Sequence, residues 1–131
     1  MEDVKINVKF KLSALWIALM FFYIYADILG FYAPGHIAAL MTGEIGGIQI
    51  TQEFLLLSAI LMVIPSLMVF LSLSLPAKAN RVANIIIGIV LALVLGMTFF
   101  VGEISAYYLL FGILEGVDLV LIVWKAWNWP K

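Results

Sequence analysis

Cysteine is absent from the 131 residues. Disulfides, thiolate metal ligands and cysteine nucleophiles are therefore excluded. Charge is scarce, at 11% of the chain, against about 25% in an ordinary soluble domain. The seven Lys+Arg are balanced by eight Asp+Glu, for a net charge of −1. That balance does not suit a nucleic-acid binder, and no nucleic-acid partner is expected. One histidine, His36, cannot alone build the usual zinc or haem site, so no metal and no cofactor is expected. No Gly-rich phosphate loop follows a strand-like run. What fills the chain is apolar: 66% hydrophobic residues and a mean hydropathy of +1.18. Such a composition excludes both a soluble globule and a disordered chain.

A membrane crossing takes about 20 mostly apolar residues. Four stretches qualify, about 12–32, 54–75, 82–102 and 105–127. They are too long and too evenly apolar for barrel strands, so they predict helices. The first run follows Lys5, Lys9 and Lys11 as a signal peptide does. It is too long for a signal h-region and has no small-x-small site after it, so it reads as a retained helix. The expected fold class is all-α: a transmembrane four-helix bundle, residues 1–131 forming a single integral membrane domain.

The basic residues set an orientation. Lys5, Lys9 and Lys11 precede the first span, Lys78 and Arg81 lie between the second and third, and Lys125 and Lys131 follow the fourth. The other two connections hold no Lys or Arg. Four crossings put every basic residue on one side, which predicts a multi-pass protein of the cell (plasma) membrane with both termini cytoplasmic. Trp16, Trp124, Trp127 and Trp129 lie near the basic ends and read as an interfacial belt.

Local punctuation is consistent with these spans. Thr51 is placed to cap the second helix, with Glu53 in its first turn, and Pro76 to stop it. Asn80 is placed to cap the third. Pro65 falls inside the second helix and removes a backbone bond; Ser58, Ser66, Ser72 and Ser74 are available to re-bond carbonyls there. The outer connection from Pro34 to Gly43 predicts a short interfacial helix ended by Gly43, either a lid or a loop clamped over the bundle. Spans three and four, joined by a tight turn near Glu103–Ser105, must form an antiparallel hairpin.

Small residues recur at steps of four: Asn84, Gly88, Ala92 and Gly96 on the third helix, Gly112 and Gly116 on the fourth. Such stripes let backbones approach closely, within the hairpin or in a homo-oligomer.

Ionisable groups at membrane depth are functional hypotheses by default. Glu115 falls roughly 15 Å below the outer end of its helix, and Asp118 one turn deeper on the same face. Asp27 falls near the outer end of the first helix, where the macrodipole disfavours a carboxylate. Tyr23 shares a face with Asp27 and matches the depth of Glu115; Ser66 matches Asp118. A polar seam Asp27–Tyr23–Glu115–Asp118 forms if the first and fourth helices touch. Their spans supply no counter-charge except Lys125, two turns beyond Asp118, which prefers the interface. Glu115 is thus expected to be uncharged at neutral pH unless water or a cation reaches it. His36, Glu53 and Glu103 are candidates for an outer mouth.

Four segments carry a family resemblance: Tyr25-Ala26-Asp27-Ile28-Leu29, then Gly46-Gly47-Ile48-Gln49-Ile50-Thr51-Gln52, then Asn80-Arg81-Val82-Ala83-Asn84-Ile85-Ile86, and Tyr108 through Glu115. Together they resemble a family of small prokaryotic four-helix integral membrane proteins, a domain of unknown function. The resemblance implies the architecture and a prokaryotic source, and transfers no catalytic residue.

The leading expectation is a protein that binds or translocates a proton, a cation or a small amphipathic ligand. Asp27 receives it near the mouth, Glu115 and Asp118 hold it near the midplane, and Tyr23 orients a carboxylate. One alternative is a structural or accessory subunit assembling through the small-residue stripes. A second is a membrane enzyme acting on a lipid with paired carboxylates.

Overall fold

A computed structural model describes residues 3–45, 48–100 and 105–129. The elements are α1 (Val8–Phe31), α2 (His36–Met41), β1 (Glu44–Ile45), β2 (Ile48–Gln49), α3 (Gln52–Ser74), α4 (Ala77–Thr98) and α5 (Ala106–Trp127). α1, α3, α4 and α5 are each long and apolar enough to cross a membrane. The chain is a four-helix bundle with α2 in the connection between α1 and α3, as the sequence predicts. The tight turn expected near Glu103–Ser105 falls mostly on residues 101–104, which are outside the described residues.

Helix ends follow local chemistry. Asn7 caps α1, its side chain accepting from the Lys9 amide at 2.9 Å. Thr51 caps α3 by accepting from the Phe54 amide at 3.1 Å. α2 is bracketed by Gly35 and Gly43, with φ of +79° and +83°, the left-handed region that glycine enters without strain. Beyond Gly43 comes a small antiparallel ribbon that pairs Glu44 with Gln49 and Ile45 with Ile48. Strands of two residues are too short to leave an alternating pattern in the sequence. Pro76 ends α3 as expected, but α4 begins at once, at Ala77.

That early start corrects the reading of Asn80. It does not cap α4. Its Nδ2 donates to the carbonyls of Ser72 (2.6 Å) and Leu75 (3.3 Å), satisfying the last turn of α3. Arg81 does the same for α5: Nε donates to the Ala126 carbonyl at 3.1 Å and a terminal nitrogen to that of Trp127 at 2.9 Å. A cation is favourable at that negative helix end.

Contacts between specific residues fix the topology. Ser13, early in α1, donates to the Val69 carbonyl, late in α3, at 2.8 Å. Gly30, late in α1, faces Tyr107, early in α5. The four long helices therefore alternate in direction. α1 packs extensively on α3 and α5, and α5 on α4; α3 and α4 touch much less. Every described lysine and arginine falls at one end, called here the basic end; α2 and the ribbon lie at the other, the loop end.

The apolar core occupies the basic half. Leu12, Trp16 and Leu19 of α1 meet Met68 of α3, Leu91 of α4, and Leu119 and Ile122 of α5. Trp16 is 0% exposed, so it is no part of an interfacial belt. Its indole N–H donates to Asn84 Oδ1 at 2.7 Å. Asn84 Nδ2 in turn donates to the Asn80 carbonyl and Oδ1, at 2.8 and 2.6 Å, and Ser72 donates to Asn84 Oδ1 at 3.4 Å. A buried polar hub thus ties α1, α3 and α4 together. Polar groups withdrawn from water need such partners. Ser66, expected near Asp118, is instead exposed and donates to the Met62 carbonyl at 2.8 Å.

The small-residue stripes serve the α4–α5 contact in part. A Cβ on Gly112 would strike the Phe99 ring, and one on Gly88 would lie 2.8 Å from Val123 Cγ2. Gly116 faces Leu95. Gly96 has nothing within 4 Å, and Ala92 is exposed. Outside the bundle, large apolar side chains such as Phe10, Phe70, Leu93 and Trp127 are exposed on all sides. Together with four spanning-length helices, that makes a multi-pass membrane protein.

Candidate functional site

The loop half lacks a packed core and holds a cavity of about 170 Å³. α1 contributes Tyr23 and Asp27, one turn apart on one face; α5 contributes Glu115. Because α1 packs on α5, the faces converge as the sequence seam requires. Leu61 and Met62 of α3 and Leu95 and Thr98 of α4 are among the residues that add to the wall. Pro65 bears on this wall, since a proline cannot donate to the carbonyl four residues back, which is Leu61.

The acids occupy three levels. Asp27 is exposed, one turn from the loop end of α1. Glu115 is 7% exposed, nine residues into α5, and thus about 14 Å along that helix. Its side chain lines the cavity and makes no hydrogen bond among the described residues. Asp118 is 4% exposed, one turn deeper. Its Oδ1 is fully enclosed and has no hydrogen-bond partner among the described residues. Asp118 does not line the cavity, so the expected seam divides into three cavity groups and one acid sealed beneath them.

Among the described residues, no cation offsets the two deeper acids. The charge acting on Glu115 is that of Asp27, which is of like sign. No charged group acts strongly on Asp118. Tyr23 lies in the field of both Glu115 and Asp118. Asp27 alone is influenced by a base, His36. That histidine is half-buried at the start of α2, with its ring 6.2 Å from Phe31. Glu53 is exposed in the first turn of α3 and does not line the cavity. Glu103 lies outside the described residues. Among the described residues no cluster of three metal-ligating side chains occurs.

Tyr108 and Thr98 line the cavity without having been singled out. Tyr108 had a legible signal, since it lies seven residues before Glu115, two turns away on the same face. Thr98 had none, because its position depends on how α4 meets α5.

The arrangement connects an accessible acid to an enclosed one through a small, mostly apolar space into which Tyr23, Thr98 and Tyr108 bring polar groups. An apolar cavity of similar volume admits a benzene-sized molecule, and the few polar groups among these apolar walls give water or a small charged group hydrogen-bond partners. A carboxylate there is stabilised only by a proton, a cation or water.

No curated protein and no solved structure matches this chain. A family model does, over residues 3–131, and on that match the chain belongs to the family of unknown function DUF6326.

Proposed function

We propose that this protein binds or translocates a proton, a small cation or a small amphipathic cationic ligand through an acidic intramembrane site. One observation carries the reading: Glu115 is nearly enclosed, lines a cavity, and has neither a hydrogen-bond partner nor a counter-charge among the described residues. Asp27 accepts the ligand at the loop end, with His36 beside it. Glu115 holds it, Tyr23 orients the carboxylate, and Asp118 is a deeper acceptor. The cavity's modest size favours a proton or small cation over a bulky substrate.

The basic residues at one end support a plasma-membrane location with both termini cytoplasmic. The loop end is then outside, and the path runs inward from Asp27.

The test uses proteoliposomes loaded with a pH-sensitive dye, under an imposed pH gradient. Wild-type protein is expected to dissipate the gradient, Glu115→Gln to abolish this, and Asp27→Asn to slow it. A parallel melt with tetraphenylphosphonium as a lipophilic cation covers the ligand-binding form. No flux, together with identical melts of wild type and Glu115→Gln, would refute the proposal.

An accessory-subunit role has its own observation. Gly88 and Gly112 are covered within the chain, whereas Ala92 and Gly96 leave a smooth open patch on α4. A homo-oligomer formed there requires Gly96→Leu to dissociate it while Glu115→Gln leaves it intact.

A further inference from the structure

The basic end carries a second recess, separate from the acidic cavity. Lys5 ahead of α1, Lys11 on α1 and Lys125 on α5 line it together, with Trp124 and Asn128 on its wall. Its volume is about 180 Å³, and among the described residues no carboxylate lines it. Lys125 Nζ lies 5.4 Å from the centre of the Trp124 ring, a cation–π contact that holds one ammonium at the rim.

Lys11 and Lys125 also border an apolar furrow of about 340 Å³, floored by Ala14, Leu15 and Leu121. These residues lie about one turn from the lysines toward the middle of the bundle. The α1–α5 seam therefore presents positive charge at its end and hydrocarbon directly below.

We propose that this seam binds one anionic glycerophospholipid, with its phosphate among Lys5, Lys11 and Lys125 and an acyl chain in the furrow. Three lysines line one recess and bring like charges to it, which an anion offsets. Basic pockets beside spanning helices are the usual receptors of such headgroups. Free phosphate satisfies the lysines but leaves the furrow unused. A zwitterionic lipid brings its own cation against them. The site is independent of Glu115 and stands or falls separately from the acidic cavity.

The full chain in detergent micelles is titrated with short-chain phosphatidylglycerol, phosphatidylcholine and inorganic phosphate, read by native mass spectrometry. One phosphatidylglycerol is expected to bind, with phosphatidylcholine at least roughly tenfold weaker and phosphate failing to displace the lipid. Lys11→Gln and Lys125→Gln should each weaken binding about fivefold, and the pair about thirtyfold, from the usual contribution of a lysine at an anionic surface. Lys9→Gln removes the same charge from the same helix but does not line the recess, and should change binding less than about twofold on that basis. Lys5→Gln, ahead of the helix, keeps the test open if a helical variant misfolds. Equal affinity for the two lipids, an equal loss from Lys9→Gln, or displacement by phosphate would overturn the assignment.

Discussion

Replacing Asn84 with alanine takes away the centre of the buried hub, and the cost follows from the bonds it makes. Oδ1 accepts from Trp16 at 2.7 Å and Nδ2 donates twice to Asn80. Interhelical side-chain bonds in membrane proteins contribute about 0.6 kcal/mol on average and up to about 1.7. The indole N–H of a fully buried Trp16 would also be left without an acceptor, at a further 1–3 kcal/mol or so. Asn84→Ala should therefore destabilise the bundle by about 2–4 kcal/mol. Asn84→Asp is nearly isosteric but sets a carboxylate oxygen against two acceptors of Asn80, so it should be no milder. A double-mutant cycle with Trp16→Phe should return a coupling of about 1–2 kcal/mol. Unfolding in mixed micelles with increasing dodecyl sulfate, followed by circular dichroism, gives these values. A loss below about 0.5 kcal/mol for Asn84→Ala, or no coupling, would refute the claim that the hub fixes α1 against α4.

Other expectations are open to measurement. Gly112→Leu drives a side chain into Phe99 and should cost about 1–3 kcal/mol, whereas Gly96→Ala meets open space and should be neutral or gain up to about 1 kcal/mol in the same micelle titration. Arg81→Lys leaves the last carbonyls of α5 without their two-point donor; amide exchange of Asn128, which bonds to Trp124, should accelerate. A hydrophobic carbodiimide, which attacks protonated carboxyls in apolar surroundings, should label Glu115 and spare the Glu115→Gln variant. Single cysteines placed at Lys78 and Glu44, in a chain with none of its own, should react with an impermeant maleimide only at Glu44 in intact cells if the termini are cytoplasmic.

The four spans were legible because hydrocarbon demands long, continuously apolar helices, and that demand is written in every residue of them. The convergence of Tyr23, Asp27 and Glu115 was legible too, since helical periodicity and depth counting both act along one chain. What periodicity cannot supply is which helices touch. Trp16 sits near lysines and suggests an interface, yet its partner is 68 residues away on α4. Asn80 looks like a cap for the helix it begins, but it serves the helix before, because Pro76 lets α4 start four residues sooner. Asp118 and Ser66 match in depth but face different surroundings, for depth does not fix rotation about the helix axis.

The side-chain bonds between α3 and α4 all sit near Leu75 and Pro76, where Asn80 and Ser72 join them. Farther along, both rods line the acidic chamber and touch little, and mostly greasy contacts would be exchanged if they spread wider. Lipid tails are as apolar as leucine, so the bilayer can replace those contacts at little cost. Any parting of the pair would thus resemble tweezers pinned at the handle, opening at the loop end while the Trp16 anchor near Pro76 stays in place.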